Sequence, residues 1–189
     1  MPESLVNEFF IGKTKISISQ DDITKVGSDV IVNAANSSLQ GGGGVDGAIH
    51  RAAGPSVMKE LRENYDFCPT GEIVVTGSGK LSENHVKKIF HAVGPIWKGG
   101  QNQEEKKLLS CYRHSLEMLN TLELQTIAFP AISTGIYGYP IDKAAESVLA
   151  YVIQLLNNEF KDQFEVISFI LFSRQDYNIY LNCLNHLAY

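Results

Sequence analysis

The chain has 189 residues, 44% of them hydrophobic and 20% charged. That suits one folded domain burying about 70% of its unfolded surface and excludes collagen-like, disordered and disulfide-scaffold classes. Sixteen Lys and Arg against 21 Asp and Glu leave a net charge of −5, opposite to the basic face of a phosphate-backbone binder, so nucleic acid is not an expected partner and any anionic ligand must be held locally.

Residues 1–10 carry two acids and no basic leader, and no apolar run approaches the roughly 20 residues that cross a bilayer. The three cysteines, Cys68, Cys111 and Cys183, form neither a CxxC pair nor an even disulfide set. The expectation is a soluble, cytoplasmic protein with reduced thiols and no membrane partner. In residues 15–20, Ile16 and Ile18 alternate with Ser17 and Ser19, the period-two pattern of a half-exposed edge strand. Short runs rich in β-branched and aromatic residues at 30–32, 73–75, 89–93, 126–129 and 165–172 predict buried strands. Leu108, Leu109, Tyr112, Leu116 and Leu119 recur at helical spacing, as do Ala144, Ala145, Val148, Leu149, Val152 and Leu156, and 178–189 reads as a closing helix. No repeat, low-complexity tract or linker interrupts the chain, so 1–189 reads as a single domain. Strands alternating with helices predict a layered α/β fold whose sheet is mixed and largely parallel, flanked on both faces. No apolar stripe demands a partner, so a monomer is expected.

In open α/β sheets, ligands bind in loops at the carboxyl ends of strands, and two such loops are chemically unusual. The first runs from Asn33 through Asn36 and the glycines at 41–44 to Asp46 and His50. Successive N–H groups ahead of a helix form an anion-binding concavity, and glycine lets the backbone approach a ligand. The pattern is neither GxxxxGK[ST] nor a clean GxGxxG, which disfavours a P-loop nucleotidase. Asp46 and His50 lie four apart at a predicted helix start and share a face. Asp46 also suits a cap on a first helical turn, and His50 a packed side chain. Asn33 and Asn36 read as turn residues or as amide groups near a sugar. In the second loop, Ser133, Thr134, Gly135, Ile136, Tyr137 and Gly138 follow a strand, and Pro140 opens the next helix. Hydroxyls, glycines and a helix start together suit a diphosphate.

The run DVIVNAANSSLQGGGGVDGAIHRAAG, with Asp22, Ile23 and Thr24 ahead of it, resembles the signature of macrodomains, and among them of MacroD-type ADP-ribosyl hydrolases. STGIYGYP resembles the family's second phosphate loop, and TGEIVVTGSGKL and IFHAVGPIW are similar to its core strand segments. The resemblance extends from about Lys15 to about Tyr180. Where the family usually has glycine before the Asp, this chain has Asp21.

The resemblance implies a three-layer α/β/α domain with a central mixed, largely parallel sheet, ADP-ribose as ligand, and neither cofactor nor metal. Cys111 and His114, three apart on a predicted helix, supply two ligands at most. By similarity, Asp22 would accept a hydrogen bond from the adenine amino group, supported by the Ile23 backbone N–H. Phe172, which by itself reads as core, matches a position where an aromatic ring packs on adenine. Gly42, Gly43, Gly44 and Val45 would wrap the diphosphate from one side, and Ser133, Thr134, Gly135, Ile136 and Tyr137 from the other, with Tyr137 a lid over the distal ribose. Asn36 would bond a distal ribose hydroxyl. Asp46 would orient or activate water near the anomeric carbon, steadied by His50. The implied activity is hydrolysis of mono-ADP-ribose from acidic side chains of proteins, with deacetylation of O-acetyl-ADP-ribose beside it. The alternative is a non-catalytic ADP-ribose reader; the intact set Asn36, GGGG, Asp46 and GIYG favours the enzyme.

Overall fold

The structure is a computed structural model that describes residues 6–188. Seven strands form one sheet in the order β1-β2-β7-β6-β3-β5-β4. The strands are β1 (Val6–Ile11), β2 (Thr14–Gln20), β3 (Val30–Ala34), β4 (Ile73–Gly77), β5 (Lys88–Ala92), β6 (Thr126–Phe129) and β7 (Val166–Leu171). The five central strands run parallel, and β1 and β4 pair antiparallel at the two edges. The sheet is therefore mixed and largely parallel, as its apolar runs predict.

The helices are α1 (Gly44–Ala53), α2 (Pro55–Asn64), α3 (Glu104–Thr121), α4 (Ile141–Asn157) and α5 (Arg174–Ala188). Ile49 and Ala53 of α1 and Val57 of α2 pack on Ile31, Ile89 and Ala128, making one helical layer. On the opposite face, Leu108 and Leu116 of α3, Val148 and Leu149 of α4 and Leu184 of α5 close over Ile16, Val32, Phe90 and Ile167. Tyr112, Phe129 and Phe169 pack in series through this second core, with ring centroids 4.7 and 5.9 Å apart. Among the described residues no helix is long and apolar enough to cross a membrane.

One strand changes place and another is added. Residues 15–20 are not an edge strand: β2 lies between β1 and β7, and Ser17 and Ser19 are buried. The edge beside it, β1, escapes a pattern reading because Asn7 faces inward with Phe9 and Ile11 while Phe10 faces solvent. Pro140 is the cap before α4 rather than its first residue. Helix α5 begins at Arg174, four residues before the sequence suggests, and Tyr189 lies outside the described residues.

The consequence for function is geometric. With five parallel strands, the carboxyl ends of β2, β7, β6, β3 and β5 line one edge of the sheet in that order. The two glycine-bearing loops follow the adjacent strands β3 and β6.

Candidate active site

Between those loops lies a cavity of about 380 Å³. From the first loop come Asn36, Gly42, Gly43, Gly44, Val45 and Asp46, and from the second Ser133, Gly135, Ile136 and Tyr137. Gly94, just after β5, completes the wall between them. No Lys or Arg lines the cavity among the described residues. Among them, too, no protein oxygen takes the backbone N–H of Gly43, Val45, Gly135, Ile136 or Tyr137. Unpaired amides at a helix start and in a tight loop attract an anion without formal charge, which suits a chain whose net charge is −5.

The first loop is held by its own side chains. Asn36 Nδ2 donates to the Gly41 carbonyl at 3.0 Å, and Asn36 Oδ1 accepts from the Ser38 hydroxyl at 2.8 Å. Gly43 caps α1, and a Cβ on Gly47 would come within 2.7 Å of the Gly42 carbonyl oxygen. Glycine at position 47 thus lets the loop fold down onto its helix. In the second loop the Thr134 side chain turns back to the Ala131 carbonyl at 2.8 Å and does not line the cavity. Ser133 adopts a left-handed backbone, φ 68°, and its buried hydroxyl has no partner among the described residues. Such a conformation costs about 1–3 kcal/mol in a non-glycine residue and is tolerated where the surroundings impose it.

Asp46 sits in the first turn of α1 but is only 6% exposed. Its Oδ1 accepts from Asn33 Nδ2 at 2.6 Å, and His50 Nε2 stands 3.4 Å from the same oxygen. Its Oδ2 faces the glycine loop, where a Cβ on Gly42 would lie 3.3 Å away. One carboxylate oxygen is thus anchored inside the protein and the other is turned toward the glycine loop that lines the cavity. His50 lies behind Asp46, outside the cavity lining, stacked on His91 with ring centroids 5.8 Å apart. Asn33 is not a turn residue: it belongs to β3 and is fully buried.

Asp22, Ile23 and Phe172 also lie outside the cavity, at the ends of the neighbouring strands β2 and β7. Asp22 Oδ1 accepts from both the backbone N–H and the hydroxyl of Thr24, at 3.0 and 2.7 Å, capping a short 3₁₀ turn. The Ile23 side chain is core. Phe172 reverses its sequence reading as core, because it is 84% exposed one residue past the end of β7. Cys111 and His114 do not converge: the Cys111 thiol is buried against the Val93 carbonyl, whereas His114 faces Gly71 and Glu72. Among the described residues no three His, Cys, Asp or Glu side chains gather to hold a metal.

Sequence reasoning missed Gly94 and the buried pair His91 and Thr76, which stand behind Asn33. A histidine inside the apolar run IFHAV is the one local sign of that pair.

Fold and cavity together define an α/β domain with an amide-lined cavity at the carboxyl edge of its sheet. The Macro domain family matches residues 32–148, and the chain belongs to that family. A macro domain-containing protein of Caldanaerobacter subterraneus is 46% identical over 178 residues, covering 93% of this chain and 98% of its relative. The O-acetyl-ADP-ribose deacetylase of Escherichia coli K12 is 43% identical over 171 residues, covering 89% of this chain and 94% of the enzyme. The solved Oceanobacillus iheyensis macrodomain with ADP superposes with a TM-score of 0.91 at 42% identity, covering 98% of each chain.

Proposed function

We propose that this chain binds ADP-ribose and hydrolyses esters of its distal ribose, removing mono-ADP-ribose from acidic side chains of proteins and acetate from O-acetyl-ADP-ribose. The observation that carries this reading is the almost wholly buried Asp46, anchored through Oδ1 by Asn33 and turned through Oδ2 toward an amide-lined cavity. Similarity to the E. coli deacetylase and to the ADP-bound Oceanobacillus structure supports it.

In this reading the adenosine lies over the ends of β2 and β7, with Asp22 and the Ile23 N–H at its amino edge and Phe172 against its face. The diphosphate lies between the amides of 42–45 and 133–137, where the Ser133 hydroxyl donates to it. The distal ribose lies under Tyr137 beside Asn36 and Asp46. From β2 to β3 is three strand spacings, about 14 Å, a span suited to an extended ligand rather than a compact one.

The chemistry follows from the bond. A carboxylate leaving the anomeric carbon needs little acid assistance, so the protein has only to place a water and stabilise charge. For the acetyl ester the same water adds to the carbonyl carbon, and the ribose oxygen leaves with a proton. Placement contributes at least as much as the roughly 10²- to 10⁴-fold of general base catalysis. Asp46 orients the water together with a substrate phosphate oxygen, and His50 steadies the carboxylate. The second reading, a reader without turnover, uses the same cavity but leaves the anchored Asp46 without a task.

The test pairs calorimetric ADP-ribose binding with acetate release from O-acetyl-ADP-ribose by the wild-type protein. Binding with turnover is expected; binding alone would make the chain a reader.

A further inference from the structure

We infer that His91 and Thr76 are positioning residues for Asp46, acting through Asn33 by a fixed chain of hydrogen bonds that crosses three strands. The inference rests on the reading above that Asp46 places the hydrolytic water.

Thr76 lies on β4, His91 on β5 and Asn33 on β3, and Asn33 pairs in register with His91. All three are buried, as is Asp46. The chain has one direction. The Asp46 carboxylate can only accept, so the Asn33 amide turns its nitrogen to it, and His91 Nδ1 beside that nitrogen must accept as well. His91 Nε2 then donates to the Thr76 hydroxyl at 2.9 Å, whose own hydrogen goes to the Gly77 carbonyl at 2.9 Å. His91 therefore carries its proton on Nε2, and Nδ1 is a bare lone pair. That lone pair accepts from Asn33 Nδ2 at 3.1 Å, and the second hydrogen of the same amide goes to Asp46 Oδ1 at 2.6 Å. With both partners acceptors, the Asn33 amide has one orientation; the reverse would set its oxygen against a carboxylate and a lone pair. Asn33 Oδ1 is buried without a partner among the described residues, so nothing opposes that choice.

Strand packing does not call for such a chain. Neighbouring inward positions hold Ile31, Ile89 and Phe90, and a buried polar network costs desolvation wherever it is incompletely satisfied. Its product is a fixed rotamer for Asp46: Oδ1 tied inward, Oδ2 toward the cavity. Burial, then the stacked His50, pushes the His91 imidazole down to about 3 against the opposing pull of Asp46. The ring is neutral at ordinary pH, and its tautomer rather than its charge does the positioning.

The experiment measures kcat and KM for O-acetyl-ADP-ribose, with ADP-ribose Kd by calorimetry, in wild type, Asp46→Ala, His91→Leu, His91→Asn, Thr76→Val and Thr76→Ser. His91→Leu should lower kcat about tenfold to a hundredfold, the scale of a misplaced catalytic group, with KM and Kd nearly unchanged. His91→Asn, which restores a carbonyl acceptor near the place of Nδ1, should recover most of that loss. Thr76→Val frees the ring to change tautomer and should lower kcat, and Thr76→Ser should recover it. Ring ¹⁵N signals should report a neutral imidazole protonated on Nε2 between about pH 5 and pH 8.

If His91→Leu fails to fold, the near-isosteric Thr76→Val decides. A kcat within about twofold of wild type in the folded variants, beside an inactive Asp46→Ala, overturns the positioning chain and leaves the hydrolase reading intact. A proton on Nδ1 also overturns the chain. An active Asp46→Ala, or a wild type that binds without turnover, overturns the hydrolase reading and this inference with it.

Discussion

The backbone N–H of Trp97 donates to the carbonyl of Tyr137 at 2.8 Å, tying the segment after β5 to the second loop of the cavity. The Trp97 ring packs on Tyr139 with centroids 4.7 Å apart, and Lys143 lies over its face. The tie is itself anchored by Glu104, whose carboxylate accepts from the N–H groups of Lys98, Gly100 and Asn102 at 3.0, 3.2 and 2.6 Å. Burial opposes the charge on Glu104, yet its own backbone N–H and then those of Asn102, Lys98 and Gly100 prevail and hold its carboxyl at about 2. Glu104→Gln keeps the shape but weakens the acceptor. It should reduce ADP-ribose affinity about fivefold, the scale of one modest hydrogen bond, with the second loop loosened; calorimetry of the variant checks this.

Gly94 is the other support of that loop. A Cβ there would overlap Ser133 Oγ and come within 2.5 Å of Ile132 Cγ2. Gly94→Ala should therefore push Ser133 out of place and lower ADP-ribose affinity about tenfold or more, the penalty of overpacking a close contact. A thermal melt beside the titration separates loop displacement from global loss of fold.

Much of this arrangement is legible in the sequence, for physical reasons. A strand buried on both faces writes itself as a β-branched run, so β3, β6 and β7 are visible in isolation, and glycines clustered at a strand end mark a backbone that must approach something. What is hidden depends on register. That Gly94 touches Ser133, or that Thr76 reaches His91, follows from the order of strands in the sheet, which no local pattern records. Phe172 misled as the last apolar residue of its run: Leu171 ends β7 pointing inward and the next side chain points out. The alternation that exposes Phe172 is the one that sets Ser17 against Ile16, yet Ser17 lies between β1 and β7 and is buried.

Because Phe172 is 84% exposed, Phe172→Ala should leave thermal stability unchanged. If the ring faces adenine, the same substitution should weaken ADP-ribose binding about fivefold to a hundredfold, the range for one aromatic-base stack. Ribose 5-phosphate, which has no base, should bind wild type and variant alike.

The His91 imidazole makes a stability prediction of definite sign. Its folded value is about 3 against 6.5 in the unfolded chain, from burial first and His50 second, with Asp46 opposing. The unfolded chain binds a proton that the folded chain refuses. The folded state is therefore fully favoured above pH 6.5 and loses stability as pH falls from 6.5 toward about 3. His91→Asn should flatten that dependence, read as denaturation midpoints across the interval.

In the proposed reaction Asp46 belongs to the chemistry and not to the binding of ADP-ribose. The most direct test is release of ADP-ribose from a protein mono-modified on glutamate, comparing wild type with Asp46→Ala and measuring ADP-ribose affinity for both. Turnover should fall about 10²- to 10⁴-fold while affinity changes little. Turnover that survives in Asp46→Ala, or that falls only in step with affinity, would contradict that role.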